Sequence, residues 1–110
     1  MSTLFTKIIN REIPGTIIYE DEHVVAFLDI VPFAPVHVII VTRQEISGLA
    51  ALPESGDHLH LLNAAKIIAE QQGLINGYRL VINQGEDGGQ TVEHLHVHLL
   101  GGRPMAWPPG

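Results

Sequence analysis

The stretch His94-Leu95-His96-Val97-His98-Leu99-Leu100 places three of the chain's seven histidines at alternate positions, with apolar residues between and after them. If the stretch is a strand, its side chains alternate between two faces, so the three imidazoles share one face and the apolar residues share the other. Three imidazoles in a row are difficult to satisfy by packing alone. The pattern therefore predicts that this face of a sheet meets water, a metal ion or a substrate.

The composition is typical of a globular protein, with 110 residues of which 45% are hydrophobic and 16% are charged. This length predicts a single domain. The net charge of −6 argues against nucleic acid or an anionic membrane as a partner, because both require a basic surface. The absence of cysteine excludes disulfides and thiolate chemistry. Because the chain shows neither a signal-peptide pattern nor an apolar run of transmembrane length, we expect a cytoplasmic protein.

Hydrophobic periodicity predicts one helix, three strands, a long helix and two further strands. The first helix carries Leu4, Phe5, Ile8 and Ile9 and is capped by Ser2 or Thr3, and the long helix is capped by Ser55 or Asp57 and ends at Gly73. The predicted strands are Thr16–Glu20, Val24–Leu28, Val36–Val41, Tyr78–Asn83 and Thr91–Leu100, and Glu45–Leu52 is a short helix-like segment. Short loops between neighbouring strands favour a five-stranded antiparallel sheet with the helices on one side, an α+β fold.

The long helix is apolar over more than one face. Its apolar residues are Leu59, Leu61, Leu62, Ala64, Ala65, Ile67, Ile68 and Ala69. A helix that is apolar on more than one side is covered on more than one side. In a domain of this size a second copy is a reasonable cover, and we expect a homodimer that uses this helix.

His37 lies near the beginning of another apolar strand, so pairing of that strand with the histidine strand would gather four imidazoles. A catalytic zinc site takes three protein ligands, which His94, His96 and His37 would supply, although no acid stands out as the partner that such a site needs. Alternatively, one neutral imidazole attacks an electrophile while another handles protons. The remaining histidines are interpreted as surface or interface residues: His23, His58 and His60.

Residues around the histidine strand favour a phosphorus electrophile in a nucleotide. The loop Gly88-Gly89-Gln90-Thr91 directly precedes the strand, and glycines let backbone amides approach an anion while a hydroxyl adds a donor. Asn83 closes the preceding strand and can donate to the same oxygens. Asp29 follows an apolar strand, where a carboxylate beside an apolar surface suits the ribose hydroxyls and the base of a nucleoside.

These residues resemble the histidine triad family, because His94 to Leu100 fits the pattern H-φ-H-φ-H-φ-φ at every position. The resemblance extends over nearly the whole chain. It includes Phe5-Thr6-Lys7-Ile8-Ile9, Glu12-Ile13-Pro14, Ile17-Ile18-Tyr19-Glu20-Asp21, Ala34-Pro35-Val36-His37, Gly77-Tyr78-Arg79, Asp87-Gly88-Gly89-Gln90-Thr91 and the tail Trp107-Pro108-Pro109-Gly110. The tail and the short length indicate the Hint branch, the histidine triad nucleotide-binding proteins. The resemblance implies a single HIT-like domain over residues 1–110, with residues 103–110 as an extended tail.

The resemblance further implies a purine nucleoside phosphoramidate hydrolase of the adenosine 5′-monophosphoramidase type, with no metal and no cofactor. His96 would be the nucleophile that forms a covalent nucleotidyl-histidine, and His98 would contact the phosphate or leaving group and orient the His96 ring through its backbone carbonyl. His94 and His37 would complete the cluster. The nucleotide would be bound by Asn83, Gly89 and Thr91 at the phosphate, Asp29 at the ribose, and Phe5, Ile8, Phe27, Ile30 and Ile39 at the base. Trp107, from the same subunit or from the partner subunit, would lie near the leaving group.

Two residues depart from the family pattern. Thr91 stands where Ser is common, so we expect an altered rate or leaving-group preference, and Leu28 stands where some relatives carry histidine.

Three other functions are alternatives to this interpretation. The first alternative is a dinucleoside polyphosphate hydrolase of the Fhit type, against which the tail argues. The second is the metallo-hydrolase described above, and the third is a nucleotide-binding regulator with little physiological turnover.

Overall fold

The computed structural model describes residues 2–110. Its elements are α1 (Leu4–Ile9), β1 (Ile17–Glu20), β2 (Val24–Leu28), β3 (Val36–Thr42), one 3-10 turn (Leu49–Ala51), α2 (His58–Gln71), β4 (Tyr78–Val81) and β5 (His96–Gly101). The predicted α+β fold and the predicted order of elements are confirmed. None of the helices within residues 2–110 combines the length and the apolar character that crossing a membrane requires.

The five strands form one antiparallel sheet in the order β1-β2-β3-β5-β4. β1 and β2 make the predicted hairpin, and β3 and β5 pair near the centre of the sheet. In that central pair His37 lies opposite Leu100, and Ile39 lies opposite His98. The pairing that was expected to bring His37 to the histidine strand is therefore confirmed.

The two helices lie on opposite faces of the sheet, so the expectation that both lie on one side is wrong. α2 packs against the residues Val24, Ala26, Val38, Ile40, Leu95, Val97 and Leu99, whereas α1 packs against Val25, Phe27, Ile39 and Val41. Because neighbouring residues of a strand point to opposite faces, these two sets belong to different sides. The six residues of α1 supply three buried apolar side chains, which cover the β2–β3 part of their face.

Local sequence signals explain where the helices begin and end. Thr3 caps α1, because its hydroxyl accepts a hydrogen bond from the Thr6 amide at 3.1 Å. α2 ends within two residues of Gly73, which adopts the left-handed conformation (φ 71°) that favours glycine after a helix. Asp57 occupies the N-cap position of α2, but its carboxylate makes no capping hydrogen bond.

Several predicted elements are shorter in the structure. Only the 3-10 turn forms within Glu45–Leu52, and it follows Gly48 in a fully extended conformation (φ 177°) that no helix contains. β4 ends at Val81 instead of Asn83, and β5 begins at His96 instead of Thr91. His94 therefore precedes the strand, and the prediction of three histidines on one regular strand is wrong for this residue.

Candidate active site

His96 is held so that one ring nitrogen is free for chemistry. Its Nδ1 lies 2.6 Å from the backbone carbonyl of His94. A carbonyl oxygen only accepts hydrogen bonds, so Nδ1 carries the hydrogen and Nε2 carries the lone pair in the neutral ring. The expectation that the His98 carbonyl orients this ring is wrong. The chain before β5 turns there, since the His94 amide donates to the carbonyl of Val92 at 2.9 Å, and this turn presents the His94 carbonyl to His96.

His94 supports His96 from a fully buried position. Its Nε2 lies 2.7 Å from the Thr42 carbonyl and therefore carries the hydrogen, and its Nδ1 then accepts a hydrogen bond from the Thr3 hydroxyl at 2.8 Å. Among residues 2–110, every buried side-chain nitrogen and oxygen has a hydrogen-bond partner. The buried His94 ring is thus fully satisfied, which resolves the difficulty of packing an imidazole in a core.

A second layer of polar residues holds this arrangement, and the sequence analysis missed it. Glu45 accepts hydrogen bonds from the Thr3 amide at 2.8 Å and from the Thr6 hydroxyl at 2.7 Å. These hydrogen bonds hold the pKa of the Glu45 carboxyl below its usual range. The sequence signal for the layer is weak: Thr3 was identified only as a helix cap, and Glu45 lies far from it in the chain.

A relay of hydrogen bonds sets the tautomer of His98. The amide of Phe33 donates to Nδ1 of His37 at 3.1 Å, so the hydrogen of the neutral His37 ring lies on Nε2. His37 Nε2 lies 2.9 Å from His98 Nδ1, which therefore accepts, and the hydrogen of His98 lies on its Nε2. The ring centroids of His96 and His98 are 5.0 Å apart. The site thus presents a lone pair on His96 next to an N–H donor on His98.

Burial keeps these imidazoles neutral. Desolvation lowers the pKa of His37, His94 and His96 below the ordinary value of 6.5, because the charged form loses its hydration. Desolvation, together with the neighbouring rings of His96 and His37, lowers the pKa of His98 to about 4. A neutral imidazole is the form that can act as a nucleophile, so the cluster is suited to attack at neutral pH.

Asp29 lies inside the cluster, although the sequence analysis found no acid beside the histidines. Its Oδ2 lies 3.4 Å from Nε2 of His37, and its Oδ1 accepts a hydrogen bond from the Val31 amide at 2.9 Å. The backbone adds a third tie, because the Asp29 amide donates to the His37 carbonyl at 3.0 Å. A carboxylate is thereby fixed beside the imidazoles at the end of β2.

Four of the five residues predicted to line the base pocket form one apolar cluster, which contains Phe5, Ile8, Phe27 and Ile39. Phe5 joins this cluster to the site, with its ring centroid 4.9 Å from that of His96 and 5.4 Å from that of Phe27. Ile30 lies apart, with 91% of its surface exposed. The cluster places an aromatic surface directly beside the predicted nucleophile.

The glycine loop before His94 is fixed by Gln90, a residue to which the sequence analysis gave no role. The Gln90 side chain donates to the carbonyls of Ser47 and Val92 and accepts from the Gly85 amide. Gly89 has a φ of 81°, and its amide donates to the Glu86 carbonyl at 3.0 Å within the turn. Thr91 is exposed, and Asn83 lies two residues beyond Val81, which pairs with His98.

Trp107 is 81% exposed, and its ring lies 5.9 Å from the guanidinium carbon of Arg79. The same arginine donates to the Ala106 carbonyl at 2.9 Å and so holds the tail against the edge strand β4. A role of Trp107 at the leaving group stays a prediction.

Within residues 2–110, the histidine set that the sequence suggested for zinc does not converge. Both nitrogens of His94 are occupied by Thr3 and Thr42. The groups whose ligand atoms lie within 4.8 Å of one another are instead Asp29 with His37 and His98, and, elsewhere, His23 with Asp57 and His60.

Comparison with known proteins identifies similar chains of the same length class. The family model described as the HIT domain matches residues 10–105. The sequence is 53% identical to a 14 kDa zinc-binding protein of Zea mays, with 98% of this chain and 88% of that protein covered. It is 48% identical to adenylylsulfatase HINT1 of Arabidopsis thaliana, with 98% and 76% covered. The structure matches a HIT family hydrolase from Clostridium thermocellum at a TM-score of 0.91 and 47% identity, covering 96% and 94% of the two chains.

Proposed function

The chain belongs to the HIT family, in its Hint branch, and we propose that it hydrolyses purine nucleoside 5′-phosphoramidates at the P–N bond. The observation that carries the proposal is the 2.6 Å hydrogen bond from His96 Nδ1 to the His94 carbonyl, which leaves the lone pair on Nε2. Relatives named as a hydrolase and as an adenylylsulfatase support hydrolysis of an adenylyl compound.

The reaction has two steps. Nε2 of His96 attacks the phosphorus, a bond forms between His96 and phosphorus, and the P–N bond to the amine breaks. The departing nitrogen takes up one proton from solvent, and the Nε2–H of His98 donates a hydrogen bond that assists its departure. Water then attacks the phosphorus, the bond to His96 breaks, and the proton that water gives up passes to solvent. The products are the amine and the nucleoside 5′-monophosphate.

The nucleotide-binding roles are part of the same proposal. Asp29 binds the ribose hydroxyls, and the apolar cluster of Phe5, Ile8, Phe27 and Ile39 lies against the base, which the exposed Ile30 contacts from outside the cluster. Asn83, Gly89 and Thr91 hold the phosphate oxygens. The position of Asp29 beside His37 supports this assignment, because a ribose bound by its carboxylate would lie next to the histidine cluster.

We also propose that the protein is a homodimer built on α2. Leu59, Leu62 and Ile67 are exposed on this helix, with Leu59 63% exposed, although the opposite side of the helix is buried in the core. An exposed apolar stripe on a core helix is typical of an interface. Sedimentation at micromolar concentration is expected to give a dimer, and a stable monomer would contradict the proposal.

The alternative functions predict different substrates and different metal requirements. A Fhit-type enzyme prefers dinucleoside polyphosphates. A metal-dependent enzyme has a specific basis here, because Asp29, His37 and His98 converge and one relative is named a zinc-binding protein. A regulator turns over neither substrate at a useful rate.

One set of assays separates these functions. We expect EDTA-treated wild type to hydrolyse adenosine 5′-phosphoramidate at its full rate and far faster than diadenosine polyphosphates. His96→Asn should abolish turnover, whereas the control His58→Asn, an exposed histidine on α2, should retain it. Activity that is lost with EDTA and restored by Zn²⁺, or a preference for the dinucleotide, would overturn the proposal.

A further inference from the structure

Two of the histidines interpreted as surface residues meet each other outside the active site. His23 lies in the turn between β1 and β2, and His60 lies in the first turn of α2. Their rings stack face to face, with centroids 3.5 Å apart and planes 5° apart. His58 and His60 cannot converge on one atom, because residues two apart on a helix point in very different directions. The fold instead supplies His60 with a partner from the hairpin.

A carboxylate completes the group. Asp57 Oδ1 lies 3.8 Å from Nδ1 of His23, and one ligand atom from each of His23, Asp57 and His60 lies within 4.8 Å of the others. In a tetrahedral zinc site with ligand bonds of about 2.0–2.1 Å, neighbouring ligand atoms are about 3.3 Å apart. Convergence on one ion requires the two rings to tilt out of their parallel stack, because each lone pair lies in its ring plane, and rotation of the His23 and His60 side chains supplies that change.

The backbone holds these residues in place before any ion binds. The His23 amide donates to the Asp21 carboxylate at 2.7 Å, and the His23 carbonyl accepts from the Arg43 amide at 3.0 Å. The Asp57 carbonyl accepts a hydrogen bond from the Leu61 amide at 2.9 Å. An aspartate at the N-cap normally uses its side chain to cap the helix, but the Asp57 side chain does not, and it is 19% exposed and turned toward His23.

The donor types indicate the ion. Two imidazole nitrogens and one carboxylate oxygen suit Zn²⁺ and similar first-row divalent ions, whereas Ca²⁺ and Mg²⁺ prefer oxygen ligands alone. The other nitrogen of His23 lies 3.3 Å from Glu22 Oε1, and metal-bound histidines commonly have such an outer carboxylate.

We propose that His23, Asp57 and His60 bind one Zn²⁺ ion, with water as the fourth ligand, and that the ion ties the β1–β2 hairpin to the beginning of α2. The site is separate from the active-site imidazoles. Its ion takes no part in hydrolysis and adds stability to the fold, because it binds the folded chain and not the unfolded one.

Zn²⁺ binding to wild type, His60→Gln and His58→Gln tests the proposal. Each protein is stripped with EDTA, dialysed and titrated with Zn²⁺ by calorimetry, and its thermal midpoint is measured with and without the ion. We expect wild type and His58→Gln to bind one equivalent at His23, Asp57 and His60 and to gain several degrees in Tm. His60→Gln should lose that equivalent and that gain while keeping the phosphoramidase rate and circular dichroism of wild type.

Two further measurements keep the outcome unambiguous. Co²⁺ in place of Zn²⁺ should give a tetrahedral visible spectrum in wild type that is absent from His60→Gln. His98→Gln, which alters the Asp29, His37 and His98 group, should retain the equivalent. The proposal is overturned if wild type binds no Zn²⁺ at micromolar concentration, if His60→Gln binds as wild type does, or if the equivalent is lost in His98→Gln instead.

Discussion

The two histidine clusters of this protein differ in what their ring nitrogens contact. In the active site, His94, His96 and His37 each have a ring nitrogen that is hydrogen-bonded to a backbone group, and the His98 ring is hydrogen-bonded to His37. At the beginning of α2, the nitrogens of His23 lie near the carboxylates of Glu22 and Asp57. Backbone contacts select one tautomer and leave a defined lone pair, whereas two carboxylates around one ring suit a metal ion. One carboxylate, Asp29, also lies near His37, so the distinction rests on His96, whose Nδ1 is held by a backbone carbonyl. This distinction supports a reactive role for one cluster and a binding role for the other.

The largest expected effect is the loss of activity when a residue of the active-site cluster is replaced. His96→Asn removes the nucleophile but keeps a polar group, and we expect kcat/KM for adenosine 5′-phosphoramidate to fall on the order of 10⁴–10⁶-fold. The steady-state rate measures the loss. His60→Asn, in the other cluster, serves as the matched control, and its rate should stay within about a factor of two of wild type. A comparable loss in both variants would remove the functional distinction.

The relay through His37 predicts a smaller loss. His37→Phe removes the donor that sets the tautomer of His98, so we expect kcat to fall about 10²-fold, in the range typical of proton-transfer groups. His37→Gln keeps an N–H donor and should recover part of the rate. Equal rates for the two variants would show that the hydrogen bond to His98 Nδ1 does not matter for turnover.

The protein should become less stable as the pH decreases, because folding holds the active-site imidazoles in their neutral form. Unfolded histidines take up protons below about pH 6.5, but the pKa of folded His98 is lowered to about 4 and those of the other three imidazoles are also lowered. The unfolded chain thus binds more protons between these values, and the free energy of unfolding declines as pH falls from 6.5 toward 4.

Urea unfolding in EDTA between about pH 7 and pH 5, above the range in which carboxylates titrate, measures this decline. His98→Asn should show a shallower slope than wild type, and His58→Asn, which changes an exposed histidine, should show the same slope. A wild-type stability that rises on acidification through this window would contradict the burial argument.

The smallest expected effect is on stability, when the Thr3 hydroxyl that holds His94 in place is removed. Thr3→Val keeps the shape but removes both the hydroxyl that bonds His94 Nδ1 and the cap of α1, so unfolding should cost about 1–2 kcal/mol less. Thr16→Val changes an exposed threonine and should cost little. Denaturant midpoints compare the two variants. An unchanged midpoint for Thr3→Val would remove Thr3 from the supporting layer.

The sequence predicted the parts of the molecule that depend on periodicity. The β-branched run Val36–Val41 and the alternation of the histidine stretch predicted the two central strands, and Gly73 predicted the end of α2. Periodicity does not say which face of a sheet a helix covers, so the placement of α1 was wrong. A prediction from periodicity also assumes a regular strand, and it therefore did not include the turn between Val92 and His94.

The site shows the same division. The pattern of alternate histidines predicted the residues that we propose to react, but the partners that fix their tautomers are mainly backbone groups, such as the His94 carbonyl and the Phe33 amide, which carry no sequence signal. Glu45 contacts Thr3 and Thr6, which are distant in the chain, and Asp29 contacts His37 on the neighbouring strand. Such contacts depend on the three-dimensional register, and the stacking of His23 on His60 is of the same kind.

The central claim is that Nε2 of His96 forms a covalent bond to the nucleotide. The most direct measurement is intact mass spectrometry after mixing wild type with adenosine 5′-phosphoramidate and quenching within a single turnover. We predict an adenylyl adduct that peptide mapping assigns to His96 and that is absent from His96→Asn. Turnover without an adduct at any quench time, or an adduct that maps to His98, would contradict the account.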